Sequence, residues 1–449
     1  MDNKVKQMLE TKQAIRKNTL GTILDRFDGD LMKLSKKQRR QKYKKMMENP
    51  YSFFRGSAYL FFHDVTELPF RFHTPEEKPT WIMGDLHFDN YSVFQNEKKD
   101  IVFDVDDFDE GYLGSYLYDI MRMVVSIRLT MDELGYPEDS HDAMVDHYLK
   151  HYVKQMEAFH HREQDPQTMY FTKEESRGAV KKAIRKVEER RSSHELEKQT
   201  IVQQDSIRSF DIGREKLSSV PKQEYEQLVK AWDNYYQSLD QKLRRPREFY
   251  RIKDIVKKQG SGIGSTGLNR YYILIEGDSG DSHEDDIILE AKEARTPIPA
   301  YFFPYDEQFW TEHRQQGRRV IHTQQAMHHL SDPYLGYFTM NNRDYYVRER
   351  SPYSKDLKPK HLLEEKRLKK TLKTMAQISA KIHARADADI NEGILPYHSE
   401  DAIMEVIKGN KDDFRTELIL WSRHYKERVS RDYQLFLEWS RENEYVKSP

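Results

Sequence analysis

The stretch MGDLHFDN at residues 83–90, continued by YSVFQNEKKDIVFDVDDFD at 91–109, decides how this chain folds around its first candidate site. Two short β-prone runs separated by a polar turn predict an antiparallel hairpin. Such a hairpin brings its open ends together, so Asn90 and Asp104 become neighbours, with Asp85 close behind. Amide and carboxylate oxygens side by side suit Mg²⁺. The stretch therefore predicts an active-site arrangement built on a hairpin.

The composition bounds the class of protein. The chain has 449 residues, of which 37% are hydrophobic and 33% charged, which is enough for two or three domains. It has no apolar run that could cross a bilayer and no apolar N-terminal signal core, so we expect no membrane partner. The chain contains no cysteine, which excludes disulfides, thiolate nucleophiles and zinc–sulfur sites. We expect a cytoplasmic protein.

The charge balance does not favour nucleic acid as a partner. Lys and Arg number 74 against 75 Asp and Glu, so no global field attracts a polyanion. The segment KLSKKQRRQKYKK at 33–45 is locally basic. Its simplest interpretation is a solvated helix face, with a nucleic-acid-binding arm as the alternative.

The pattern along the chain predicts an α+β protein of five segments. We expect a basic helical segment (1–48), a part carrying the hairpin (49–172), a charged helical connector (173–245), a strand-rich part (246–350) and a helical part (351–449). In the last part, apolar residues recur at helical spacing and predict one continuous buried stripe. The stripe consists of Leu368, Leu372, Met375, Ile378 and Ile382.

A glycine-rich loop lies in the strand-rich part. The run GIGSTG places glycines at Gly262, Gly264 and Gly267 and is followed by the strand-like RYYILIE. A dinucleotide fold would require a helix there, whereas strand, glycine loop and strand is the arrangement that covers ATP phosphates in protein kinases. The next strand ends in LEAK, so Lys292 could reach the same phosphates. The simpler alternative is a flexible turn with a surface lysine.

The catalytic half resembles the kinase-like fold of aminoglycoside phosphotransferases. That group carries G-D-x-x-x-x-N, a hairpin with an aspartate, and Tyr-Asp in a helix; here these are GDLHFDN, FDVD and YD at 118–119. The resemblance implies that Asp85 is the catalytic base and that Asn90 and Asp104 hold Mg²⁺. It further implies that Asp106 is an auxiliary ligand and that Asp119 braces the catalytic loop.

The whole chain is also similar to a bacterial family of unknown function. The strings that carry this similarity are FFRGSAYLF, GDLHFDN, FDVDDFDE, GSTGLNRYYILIEG and LEAKEA. They are spread over most of the chain. This second resemblance implies no particular activity.

The order of the motifs departs from ordinary kinases. The catalytic-loop half comes first, and the glycine loop and Lys292 follow it. The kinase resemblance therefore implies a circularly permuted two-lobe fold with extra helices, in which 246–350 is the small lobe. Met83 stands where a histidine often precedes Gly-Asp, and no glutamate stands out as the helix partner of Lys292. Gln324 is the candidate for that place.

The resemblance implies a phosphotransferase that uses Mg²⁺ and ATP or GTP. Gly262, Gly264, Ser265, Gly267 and Lys292 would contact the phosphates, and Lys292 would also serve catalysis. The acceptor would be a small molecule or a protein. Arg55 and Arg348 would contact phosphate or form ordinary ion pairs.

Three alternatives remain open at this stage. The protein could be a nucleotide-binding pseudokinase with a regulatory or scaffold role. Asp85 and His87 form the D-x-H that opens a metallophosphoesterase site, although its later G-N-H element is missing. Asp104 and Asp106 imitate the D-x-D of haloacid-dehalogenase-like phosphatases. Both phosphatase hypotheses leave the glycine loop and Lys292 without a role.

Overall fold

The computed structural model describes residues 2–96, 98–203, 207–214, 216–260, 262–278, 284–328, 332–391 and 395–445, without the side chains of 390 and 391. It has a mixed α+β architecture. The helices are α1 (Asn3–Leu24), α2 (Lys36–Met46), α3 (Pro50–Gly56), α4 (Ala58–Val65), α5 (Leu117–Glu133), α6 (His141–His160), α7 (Gly178–Glu188), α8 (His194–Gln199), α9 (Lys222–Ser238), α10 (Glu307–Glu312), α11 (Gln316–Met327), α12 (Glu365–Arg385), α13 (Ala388–Asn391), α14 (Ser399–Ile407) and α15 (Lys411–Glu442). The strands are β1 (Thr80–Ile82), β2 (Tyr91–Gln95), β3 (Ile101–Val105), β4 (Tyr112–Gly114), β5 (Thr200–Val202), β6 (Arg208–Phe210), β7 (Leu217–Ser219), β8 (Ile252–Lys258), β9 (Arg270–Ile275), β10 (Ile287–Ala294), β11 (Gly336–Met340), β12 (Arg343–Glu349) and β13 (Lys355–Asp356).

The predicted hairpin is present as β2 and β3. The two strands pair antiparallel, with Tyr91 opposite Val105 and Ser92 opposite Asp104. Asn96 forms the turn, because its side-chain oxygen accepts hydrogen bonds from the backbone N–H groups of Lys98 and Asp100. All of β3 is buried. The hairpin is therefore held in the interior, with its open end toward the loop at residues 83–90.

A six-stranded antiparallel sheet forms the strand-rich part. Its order is β11-β12-β10-β9-β8-β7, and the glycine loop joins β8 to β9. Because side chains alternate across a strand, one face of the sheet carries apolar residues such as Ile273 and Leu289, which pack with Leu228 and Tyr235 of α9. The other face carries a smaller apolar cluster that includes Leu274 and Ile288. It also carries charged residues such as Arg348, which contacts the hairpin. Lys292 stands on β10, in the middle of the sheet.

Helices surround the hairpin on its remaining sides. Along α12 the predicted apolar stripe is fully buried, and this helix packs along α6. The helix α5 is buried on nearly every face and packs against α3, α6 and the long α15. In the described part of the chain, no helix is both long enough and apolar enough to span a membrane.

Residues 173–245 contain more regular structure than the charged connector that the sequence predicts. The helix α7 buries an apolar face that packs against β2, β3 and α12. Farther along, β7 pairs with β8 as the edge strand of the large sheet. The sequence does not indicate that α7 is packed in the fold, because its apolar residues are isolated among lysines and arginines; these apolar residues include Val180, Ile184 and Val187.

The basic N-terminal segment is helical, as predicted, and only part of it is solvated. The side chain of Lys42 on α2 is buried and lies 2.6 Å from the Asp28 carboxylate, whose other oxygen accepts a hydrogen bond from Tyr59. The helix α1 packs against α15. The segment is therefore an integral part of the fold.

Candidate functional site

A cleft of about 1420 Å³ lies between the charged face of the six-stranded sheet and the open end of the hairpin. Segments that are far apart in the sequence line it together. The residues predicted from the sequence that line this cleft are Asp85, Asn90, Asp106, Gly262, Gly264, Ser265, Gly267 and Lys292. Arg55, His87 and Arg348 line it as well. The two halves of the predicted site thus face one cavity.

Asp119 holds the loop that carries Asp85. Its carboxylate accepts hydrogen bonds from the backbone N–H groups of Met83 (2.6 Å) and Gly84 (3.0 Å). The same carboxylate lies 3.2 Å from Nε2 of His383 on α12, and Nδ1 of that ring lies 3.0 Å from the hydroxyl of Tyr152. Two helices therefore fix the loop through one buried carboxylate.

The loop requires glycine at position 84. Gly84 has φ +75°, and a Cβ there would clash with the backbone carbonyl of Glu110. We expect Gly84→Ala to lower the free energy of unfolding by about 2–5 kcal/mol, the sum of left-handed strain and overpacking. Urea denaturation measures the change.

Gly135 provides a matched control for that substitution. It has φ +74°, but a Cβ there would meet nothing within 4 Å. Gly135→Ala should therefore lower the free energy of unfolding only by the left-handed backbone strain, about 1–2 kcal/mol. Equal losses in the two variants would show that the contact between the loop and residue 110 does not constrain the site.

Asp85 lies at the floor of the cleft beside a buried cation. Its side chain is 22% exposed and forms an ion pair with Arg122 of α5, whose side chain is 1% exposed. Arg122 is held in turn by the carbonyl of Phe54 (3.1 Å) and by the ring of the same residue. Burial raises the pKa of Asp85 to about 6 although Arg122 opposes the shift. Above that pH the carboxylate is free of its proton and can accept one.

Asn90 and Asp106 lie side by side at the open end of the hairpin. The backbone N–H of Asp106 donates to the carbonyl of Asn90 (3.0 Å), and the Asp106 carboxylate accepts a hydrogen bond from Ser92 (2.6 Å). Burial raises the pKa of Asp106 to about 7. The next residue, Asp107, is exposed to the cleft and has no hydrogen-bond or ion-pair partner in the described part of the chain. These three side chains form a set of hard oxygen donors.

The structure does not bring Asp104 to the cleft. Its carboxylate forms a buried ion pair with Lys381 of α12 and lies 3.6 Å from His328. The pKa of Asp104 is held below its usual range because Lys381 and His328 outweigh the effect of burial. Asp104 lies on β3 and Asp106 directly follows the strand, so only Asp106 is at the open end of the hairpin. The predicted neighbour of Asn90 is therefore Asp106, and Asp104 anchors α12.

The buried pair of Asp104 and Lys381 should dominate the stability of this region. We expect Lys381→Met to lower the free energy of unfolding by about 3–5 kcal/mol, because it leaves an unpaired carboxylate in the interior. Lys369→Met is the matched control on the same helix. This lysine is 43% exposed and pairs with the exposed Glu365, so its removal should lower the free energy of unfolding by under about 1 kcal/mol. Equal, small effects in denaturant titrations of the two variants would contradict the assignment.

Lys292 extends from the sheet to the acidic loop that follows the hairpin. It forms an ion pair with Asp109, and only 5% of its side chain is exposed. Burial alone would lower the pKa of Lys292, but Asp109 and the neighbouring Tyr346 raise it above its usual range. The ammonium therefore stays charged in the cleft.

Two arginines accompany Lys292 on the same face of the sheet. Glu290 lies 3.3 Å from Arg270 and 3.1 Å from Arg348. Its pKa falls to about 2 because the two guanidinium groups outweigh the effect of burial. Arg348 also donates to the carbonyl of Asp106 (3.2 Å). This arginine thus connects the sheet to the hairpin.

The glycine loop rests against the N-terminal helices and opens toward the cleft. Gly267 has φ +85°, and a Cβ there would clash with Leu34. A Cβ on Gly56 of α3 would lie 2.6 Å from Ile263 of the loop. A Cβ on Gly264, in contrast, would meet nothing within 4 Å, so the backbone at that position is accessible from open space.

Several site residues have no sequence signal that would identify them. Arg122 and Arg270 read as ordinary charged positions on a helix and a strand, and Asp107 and Asp109 were only part of an acidic run. Gln324, the predicted helix partner of Lys292, lines a separate small cavity instead. The anionic partner of Lys292 is Asp109. Proximity in the folded chain, which no local pattern encodes, brings these groups together.

Arg55 and the neutral ring of His87 form one border of the cleft. Arg55 donates from Nε to Nε2 of His87 (3.3 Å) and lies 2.6 Å from the carboxylate of Asp89. Burial, with Arg55 and Arg122 nearby, holds the pKa of His87 well below its usual range. His87 is therefore a neutral ring held by a guanidinium.

Comparison with known proteins gives the family of the chain. The model of a family described as an uncharacterized protein conserved in bacteria (DUF2252) matches residues 35–439. Neither the curated proteins nor the solved structures include a significant match. The matched region contains the hairpin, the glycine loop and Lys292, and it spans most of the 449 residues. The chain therefore belongs to the DUF2252 family of bacterial proteins.

Proposed function

We propose that this protein is an ATP- or GTP-dependent, Mg²⁺-dependent phosphotransferase with a kinase-like fold in circularly permuted order. One observation carries the proposal. Lys292 of the sheet contacts Asp109 of the acidic loop across a separation of 183 residues. The glycine loop and Asp85 therefore border the same cleft.

The topology of the sheet supports the kinase-like assignment. The glycine loop joins β8 to β9, and β10, which carries Lys292, pairs with β9. In protein kinases a glycine-rich loop covers the ATP phosphates and the lysine stands on the third strand. The chain then continues to α12, whose Lys381 and His383 contact the hairpin and Asp119. A helix from the end of the chain thus supports a catalytic loop from its beginning, which is the order expected of a permuted fold.

The charged face of the sheet suits a polyphosphate. Lys292, Arg270 and Arg348 present three cations, and the glycines allow backbone N–H groups to approach phosphate oxygens without an intervening side chain. Asp109 and Glu290 balance these cations in the absence of ligand. A nucleotide would bind with its phosphates between the loop and these cations.

Asn90, Asp106 and Asp107 fit a magnesium site. They offer one amide and two carboxylate groups, the donors that Mg²⁺ prefers, and burial of Asp106 disfavours its charged form unless a cation is present. Bound Mg²⁺ would neutralise phosphate charge as the reaction proceeds.

Asp85 would act as the base. The acceptor hydroxyl would form a bond to the γ-phosphorus, the bond from that phosphorus to the bridging oxygen would break, and the hydroxyl proton would pass to Asp85. Arg122 keeps the carboxylate oriented. Little further covalent chemistry is needed, because phosphoryl transfer depends mainly on positioning and on charge stabilisation.

A second candidate is a nucleotide-binding protein without turnover. The observation that favours it is the ion pair between Asp85 and Arg122, which occupies the proposed base. The phosphatase alternatives receive less support. His87 is held by Arg55, beside which a metal cation would be repelled, and Asp104 is enclosed with Lys381 away from the cleft.

Turnover of nucleotide separates the two candidates. The protein is incubated with Mg²⁺ and ATP or GTP labelled at the γ-phosphate, alone and with pools of small-molecule and protein acceptors. A phosphotransferase yields labelled acceptor and nucleoside diphosphate in equal amounts. Saturable nucleotide binding without either product would favour the second candidate, and the absence of binding would contradict both.

A further inference from the structure

A second cluster of metal-ligating side chains lies outside the cleft. It joins the end of α12 to the start of α14 and consists of Asp387, Asp389, His398 and Glu400. None of these residues lines the cleft described above. Asp387 and Glu400 are each 2% exposed, whereas the side chains of His398 and Asp389 are 41% and 23% exposed. The cluster is therefore buried on its carboxylate side and open to solvent on the side of the imidazole.

The distances within the cluster are somewhat longer than those between ligands that share an ion. Nδ1 of His398 lies 3.9 Å from Asp387, 3.7 Å from Asp389 and 3.9 Å from Glu400. All three distances are too long for hydrogen bonds. Ligand atoms of Asp387, His398 and Glu400 all lie within 4.8 Å of one another. Tetrahedral ligands at the usual zinc bond lengths are about 3.3–3.6 Å apart, so a contraction of up to about 1.5 Å would place these three groups around one ion, with Asp389 beside them.

Unpartnered buried atoms point to a missing ligand. Oε2 of Glu400 is buried without a hydrogen-bond partner in the described part of the chain, and so is Nδ1 of His398. Arg162 lies 2.5 Å from the other carboxylate oxygen, Oε1, which is also the oxygen 3.9 Å from Nδ1 of His398. Oε2 is thus the oxygen of Glu400 that is left for an ion. A buried carboxylate oxygen without a donor is costly. A bound cation would satisfy both atoms.

A similar cluster elsewhere in the chain lacks these features. Asp132, Glu138 and His141 also come together, but Lys426 lies 3.1 Å from Asp132 and 2.5 Å from Glu138. Both of those carboxylates are substantially exposed. One ammonium group there contacts both carboxylates, so that cluster needs no metal; in the cluster of His398, Arg162 contacts one oxygen of Glu400 and leaves Oε2 of that residue without a partner in the described part of the chain.

We propose that Asp387, His398 and Glu400 bind one divalent transition-metal ion, Zn²⁺ or Mn²⁺, with Asp389 beside the site. An imidazole combined with carboxylates suits these ions better than Mg²⁺. The ion has a structural role: it fastens the segment between α12 and α14. Because α12 also holds Asp104 and Asp119, the ion supports the hairpin from a distance. This proposal does not depend on the proposed phosphotransferase activity.

Calorimetric titration of the full-length chain tests the proposal. The protein is freed of metal with a chelator and titrated with ZnCl₂ or MnCl₂ without nucleotide. We expect one ion per chain and a higher melting temperature on binding. His398→Ala and Glu400→Gln should each weaken binding at least about tenfold. Glu405→Gln, an exposed position on the same helix, should leave the affinity unchanged.

Two results would overturn the proposal. One is the absence of saturable binding of either ion by the wild-type chain. The other is binding that persists in His398→Ala but is lost in Asp107→Asn, which would assign the ion to the cleft. Anomalous scattering from wild-type crystals soaked in Zn²⁺ tests the same claim even where a variant fails to fold. A peak between His398 and Glu400 is expected, and peaks only elsewhere would exclude the site.

Discussion

Asp85→Asn should reduce phosphoryl transfer by about 10²–10⁴-fold while nucleotide binding changes little. The amide keeps the shape of the carboxylate but cannot accept the acceptor's proton. The loop should remain in place, because Asp119 holds it through the backbone of Met83 and Gly84. The rate of transfer is measured from the formation of nucleoside diphosphate, and nucleotide binding is measured by calorimetry.

Asp412→Asn is the control for that variant, since it removes a carboxylate that is 92% exposed on α15. Its transfer rate should equal that of the wild type. A rate in Asp85→Asn within a factor of about two of wild type would remove Asp85 from the mechanism. A loss of nucleotide affinity equal to the loss of rate would instead indicate a role in binding.

The pH dependence of the wild-type reaction follows from the same residue. Burial raises the pKa of Asp85 from 3.8 to about 6, and only the deprotonated form can act as a base. At a limiting concentration of acceptor, the transfer rate should therefore rise with pH up to about 6 and level off above that pH. In Asp85→Asn this rise should disappear. A wild-type rate that is constant from pH 5 to 8 would contradict the assignment.

Lys292→Met should weaken binding of the Mg²⁺–nucleotide about 10–100-fold, the loss expected for a charged hydrogen bond to a phosphate. The variant also leaves Asp109 without its cation, which adds a repulsive charge where the phosphates would lie. Calorimetric titration with Mg²⁺–ATP measures the change in affinity.

Lys253→Met is the matched control for Lys292→Met. Lys253 belongs to the same sheet and is paired with Asp286 (2.8 Å), but it does not line the cleft. Its loss should lower the stability of the sheet and leave nucleotide affinity unchanged. An equal loss of affinity in both variants would show that damage to the sheet, and not the position of Lys292, explains the effect.

Local sequence patterns predicted the parts of the site that lie within one element. The hairpin followed from two β-prone runs and a polar turn, and the glycine loop followed from its flanking strands. Asp85, Asn90, Gly264 and Lys292 do line one cleft. These residues could be identified because each stands at a fixed offset from a turn or a strand end.

The sequence could not predict which site residues are buried or which are brought together by elements that are distant in the chain. Asp104 and Asp106 are two residues apart at the end of β3, so the alternation of side chains along a strand points both the same way. The pattern therefore cannot show which of the two reaches the cleft. That choice depends on Lys381, which belongs to a helix at the other end of the chain. Arg122 is likewise brought beside Asp85 only by the packing of α5 against α3.

The structure of the protein with Mg²⁺ and a non-hydrolysable ATP analogue tests the central claim most directly. The account predicts that the triphosphate lies between the glycine loop and Lys292, with the ion bound by Asp106 and Asp107. The γ-phosphate should face Asp85. A nucleotide bound away from Lys292, or a cleft that stays without nucleotide at saturating concentration, would contradict the account.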